Sequence, residues 1–190
     1  MVTRALLIEA GPTPWDKEGR LVGNRPLPLA TDALDAIRHL LQTIHEPVQG
    51  LYKPHGNEAC DTVAKLLTQT FSLRAKEVEE LDELDLGLWE GLKPAEVRSR
   101  FPRVFAQWME KPLEVTPPDG EQLDKAIDRL TAGTLRILKR SRGLHVAMVL
   151  RPMALRIVSG ILQKQSRAEI AAHLHDRSPK ETIEVDSTAF

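Results

Sequence analysis

The chain has 190 residues, 42% of them apolar and 28% charged, which excludes disorder as the main state and suits one medium domain over residues 1–190. Lys plus Arg number 26 against 27 Asp plus Glu, a net charge of -1, so no global basic field exists to hold nucleic acid or an anionic membrane. A single cysteine, Cys60, excludes an internal disulfide framework and a cysteine-based zinc cage, and fits a reducing, cytoplasmic compartment.

The first element is a short apolar run, Ala5-Leu6-Leu7-Ile8, closed by Gly11 and Pro12. It is too short for a signal peptide or membrane span and suits a strand buried on both faces, as in the middle of a parallel sheet. The following stretch, residues 12–29, reads as a long loop of the kind more often functional than accidental. Thr31 or Asp32 is placed to cap a helix bearing Leu34, Ile37, Leu40, Leu41 and Ile44 at helical spacing. Residues 48–52 read as a second strand. Asn57 caps a helix reaching Phe71.

A loop over residues 83–91 precedes a helix that starts near Pro94. The turn Pro117-Pro118-Asp119-Gly120 launches a long amphipathic helix with Leu123, Ile127, Leu130, Ile137 and Leu138 on one side. Residues 145–150 give the clearest strand, residues 152–163 a helix, and residues 182–185 a last strand. Strands alternating with helices predict an α/β three-layer sandwich, a mostly parallel central sheet flanked by helices.

Six segments in this order resemble the histidine phosphatase superfamily, the phosphoglycerate mutase-like proteins. Leu6-Leu7-Ile8-Glu9-Ala10-Gly11 lies where that family has a strand followed by Arg-His-Gly, and Gly19-Arg20-Leu21-Val22-Gly23 is similar to its Gly-Arg-x-Gln-Gly. Glu58-Ala59-Cys60-Asp61-Thr62 falls on Arg-Ala-x-Gln-Thr, and residues 83–91 match Glu-x-x-x-Gly-x-Trp-Glu-Gly closely. Asp119-Gly120-Glu121 looks like its Gly-Glu-Ser loop. Val149-Leu150-Arg151-Pro152, with Arg156 downstream, lies over its Val-Ser-His-Gly and later Arg.

The resemblance implies a reaction in which a neutral imidazole attacks phosphorus, two arginines and a second histidine bind the phosphoryl oxygens, and a carboxylic acid protonates the leaving oxygen. Carried over residue by residue, the nucleophile position is Ala10, the arginine positions are Glu9 and Glu58, and the second histidine is Arg151. The acid position is kept as Glu83, and Arg20 keeps its place in the glycine-flanked loop. With the two arginine positions changed from cation to anion, the expectation is no catalytic residue, no metal, no cofactor and no enzyme activity. The chain then reads as a scaffold, structural subunit or regulator that binds a protein partner or forms a homodimer. One alternative is a small-ligand or cation-binding module in the inverted pocket, with Glu9, Glu58 and Glu83 converging. The other is residual phosphatase or mutase activity through an unusual nucleophile such as His55.

Plainer readings stand beside these. Arg151 is expected to pair with one or two of the three glutamates. Trp15, Trp89 and Trp108 are expected in packing rather than ligand stacking. His173 and His175, at strand-like spacing, read as surface residues, and Lys139-Arg140-Ser141-Arg142 as a helix C-terminal cluster favoured by the dipole.

Overall fold

The computed structural model describes residues 2–176 and 182–186. Five strands form one sheet in the order β3-β2-β4-β1-β5, where β1 is Val2–Glu9, β2 Gly50–Lys53, β3 Ala75–Glu77, β4 His145–Leu150 and β5 Thr182–Asp186. The β1–β4, β2–β4 and β2–β3 pairs are parallel, and β5 runs antiparallel along the outer side of β1. The α/β reading of the sequence is the architecture of the molecule.

Burial explains the apolar runs 5–8 of β1 and 146–150 of β4. Alternate residues of β4 enter opposite layers: Val146, Met148 and Leu150 one core, Ala147 and Val149 the other. Helices α2 (Ala33–Gln42) and α3 (Glu58–Phe71) cover one face through Ile37, Leu41, Val63 and Leu67. On the other face lie α6 (Leu123–Arg140) and α7 (Pro152–Leu162), joined by the Trp89 region.

The stretch after β1, expected as loop throughout, contains a turn of helix, α1 (Pro14–Lys17). Thr13 accepts from Asp16 N–H while Asp16 accepts from Thr13 N–H, a reciprocal cap. Asp32 precedes α2 but caps nothing, because its carboxylate is paired with Lys17 Nζ at 2.8 Å. Asn57 does cap α3, its side-chain oxygen accepting from Cys60 N–H at 3.1 Å. The helix at Pro94 is two helices, α4 (Pro94–Arg100) and α5 (Pro102–Glu110), and α8 (Arg167–Ala172) follows α7.

Among the described residues, no helix is long and apolar enough to cross a membrane. Trp89 is fully buried, with its ring edge-on to Phe105 at 5.5 Å and to Trp108 at 5.8 Å, so these two tryptophans are core. His173 and His175 follow α8 rather than sharing a strand: His173 meets Asp176, and His175 lies edge-on to Trp108.

Candidate active site

The two central strands end side by side. Glu9 of β1 faces Leu150 of β4, and Ala10 N–H donates to the Leu150 carbonyl at 2.9 Å. Beyond those ends the chain turns at Gly11 on one side and enters α7 through Arg151 on the other. Gly11 has φ +91°, and an added Cβ would stand 3.1 Å from Leu29 Cδ1, so the turn needs both the left-handed backbone and the missing side chain. Ligands of open α/β sheets gather at this end, outside the carboxyl ends of the strands.

Glu83 is buried here and is held entirely by backbone donors. Oε1 accepts from Leu84 N–H and Ala154 N–H, each at 2.8 Å, and Oε2 accepts from Met153 N–H at 2.9 Å. Pro152 has no N–H, so the first two amides that α7 can offer to an anion both go to Glu83. Burial pushes this carboxyl above its ordinary value, opposed by the three N–H groups and by the Arg151 charge. The Glu83 segment is itself clamped by Arg129 of α6. That guanidinium donates to the carbonyls of Glu80, Asp82 and Glu83 and forks onto both Glu121 carboxylate oxygens at 2.8 and 2.6 Å.

Arg151, 2% exposed, does not pair with Glu9, Glu58 or Glu83 as expected. Its Nη1 donates to the Gly11 carbonyl at 2.7 Å and its Nη2 to Asp16 at 2.8 Å. The capping geometry of α1 is the reason, since it turns the Asp16 carboxylate inward within reach of residue 151. Arg156, one turn further along α7, donates from Nη1 to the Leu174 carbonyl at 3.0 Å. Burial lowers its ordinary value, while Glu83 and Glu9 oppose that shift. The Nε atoms of both arginines are buried without a hydrogen-bond partner.

The remaining sequence candidates disperse. Arg20 donates to the Gly91 carbonyl and to Glu18, fixing the loop instead of lining the strand ends. Glu58 is the first residue of α3 and is exposed, and His55 sits in an exposed turn with its N–H on Asp82. Among the described residues no group of three His, Cys, Asp or Glu side chains could hold a metal ion, so the expected convergence of Glu9, Glu58 and Glu83 on a cation does not occur. The sequence reading missed Asp16, which sets Arg151, and Arg129, which sets Glu83. The capping spacing Thr13-x-x-Asp16 was a readable signal for the first, and Arg129 had none.

Residues 6–183 match the family described as the histidine phosphatase superfamily, branch 1. A bifunctional protein of Mycobacterium tuberculosis is 29% identical over 157 residues, covering 77% of this chain and 40% of that protein, so the chain spans under half of its length. A metal-independent phosphoserine phosphatase of Arabidopsis thaliana is 28% identical over 162 residues, covering 83% of this chain and 67% of that protein. Among solved structures, YhfR of Bacillus stearothermophilus shares the fold with a TM-score of 0.81 at 22% identity, covering 95% and 89% of the two chains.

The expectation of an inert scaffold without enzyme activity is corrected by these relatives, one of which is named for its phosphatase activity. The physical reason is that Ala10 removes one attacking group, whereas hydrolysis of a phosphate ester also has a route by direct attack of water. Arg151 lies beside that position, donating to the carbonyl of the next residue, Gly11.

Proposed function

The chain belongs to branch 1 of the histidine phosphatase superfamily, and from that membership we propose that it hydrolyses a small phosphate monoester, of the size of a phosphorylated hydroxy amino acid. The observation that carries the reading is the family match over residues 6–183 together with two arginines, Arg151 and Arg156, in the first half of α7 and its entry, beyond the end of β4. A phosphoryl group supplies charged oxygens that pair strongly with guanidinium donors.

Residue 10 forms no bond to phosphorus, because an alanine methyl has no lone pair. Water is the attacking group. Glu9, half-buried at the end of β1 and within the electrostatic reach of Arg156, takes the proton from that water. The water oxygen bonds to phosphorus, the ester P–O bond breaks, and the departing alkoxide takes a proton from solvent. The arginines offset the charge that builds on the phosphoryl oxygens. Glu83 has both oxygens occupied by N–H groups, so its part is to hold the start of α7 in place.

The test is release of inorganic phosphate from O-phospho-L-serine and 4-nitrophenyl phosphate. We expect turnover, and a fall in kcat/KM of about 100-fold in both Arg156→Ala and Glu9→Gln. Wild-type protein releasing no more phosphate than a heat-denatured control would refute the activity. A wild-type kcat/KM in either variant would refute the assignment of residues. A cytoplasmic location, resting on the single free Cys60, and a homodimer, resting on the family resemblance, are part of the same proposal.

A further inference from the structure

On the α2 face of the sheet, a cavity of about 720 Å3 opens between β1 and α2, running from Arg4 and His145 to Glu9 and Gly11 at the strand ends. That volume falls in the range of small-molecule sites. Its described walls are apolar at Leu6 and Ile8 of β1 and at Ile37 and Leu40 of α2. One end is closed by Arg4, Glu46 and His145, the other by Lys17 and Asp32.

His145 is the informative residue. It is 5% exposed at the start of β4, and neither ring nitrogen has a hydrogen-bond partner; Glu46, its nearest carboxylate, stands 3.9 Å from Nδ1. A buried imidazole with two unanswered nitrogens is costly in a folded protein, and His145 is one of the residues lining the cavity. The charges around it say which kind of group would suit it. Arg4 is already paired with Glu46 and Lys17 with Asp32, and Glu9 adds a further negative charge. Among the described lining residues, both the arginine and the lysine already have a carboxylate partner.

We propose that this cavity binds an uncharged amphipathic molecule, an apolar body lying along β1 and α2 with a hydroxyl group hydrogen-bonded to His145. The proposal does not depend on phosphatase activity. The probe is N-phenyl-1-naphthylamine, a neutral dye whose fluorescence rises in apolar surroundings, displaced by decan-1-ol or by decanoate. The dye should bind, decan-1-ol should displace it, and decanoate should do so at least about tenfold more weakly, because the rim is negative.

Two variants locate the site. Ala36 is an exposed residue of α2 at the cavity wall, so Ala36→Trp fills the space without disturbing the core and should abolish binding. His145→Phe should weaken decan-1-ol about tenfold, leave dye binding within twofold, and keep or raise the melting temperature. Dye binding unchanged by Ala36→Trp, or decan-1-ol affinity unchanged by His145→Phe, would overturn the proposal. So would a dimer that Ala36→Trp splits in sedimentation, which would assign the cavity to a second copy of the chain.

Discussion

Arg151 and Glu83 are both buried at the junction of β4 and α7, yet they are held by different means. Glu83 is neutralised by main-chain amides, which the fold supplies whatever the neighbouring side chains are. Arg151 depends on one side chain, Asp16, and one carbonyl. Removing the carboxylate therefore strands a guanidinium that has almost no access to water. Asp16→Ala should cost about 3 kcal/mol, read as a lower urea midpoint with unchanged slope, whereas Asp16→Asn should recover part of that loss. A shift below about 0.5 kcal/mol in the alanine variant would mean that Arg151 is held by something else. The pairing could not be read from the sequence, since the two residues meet only after the sheet has formed.

At the scale of elements, what was legible depended on whether a segment's own residues decide its conformation. β4 is readable because burial on both faces leaves the apolar run 146–150, and β1 because its middle keeps the run 5–8. α3 was readable because Asn57 supplies a cap that local geometry uses directly. By contrast β3, Ala-Lys-Glu, is a short edge strand that exists only because β2 pairs with it. His173 and His175 are exposed, as their surface reading expected, although they lie in a turn after a helix rather than at strand spacing. The capping argument predicts that Asn57→Ala lowers stability by about 1 kcal/mol in chemical denaturation. Gly87 is a stricter case: it has φ +53°, and a Cβ there would lie 2.2 Å from the Pro118 carbonyl oxygen, a backbone atom that cannot swing aside. Gly87→Ala should therefore cost more than Asn57→Ala and disturb the turn that abuts the Glu83 segment. Of the site, the positions of Glu83 and Arg151 were legible from motif spacing, and their partners were not.

The molecule as a whole is two apolar cores on either side of one sheet, and Cys60 lies inside one of them. Burial pushes its thiol far above the ordinary range, so almost no thiolate exists in the native state. Native protein at pH 8 should resist iodoacetamide, and alkylation should appear only as the chain unfolds, which makes Cys60 a reporter of global opening. Rapid labelling under native conditions would mean that α3 opens on its own. The strand order has a different consequence, one for synthesis. β1 and β2 have no contact in the sheet except through β4, and the Arg151–Gly11 hydrogen bond joins residues 140 apart in sequence. While the ribosome is still making the first 140 or so residues, the central slot stays vacant, and the emerging chain carries strands with unpaired edges. Assembly is then late and concerted, and the interval before residue 150 emerges is when this protein has most need of a chaperone.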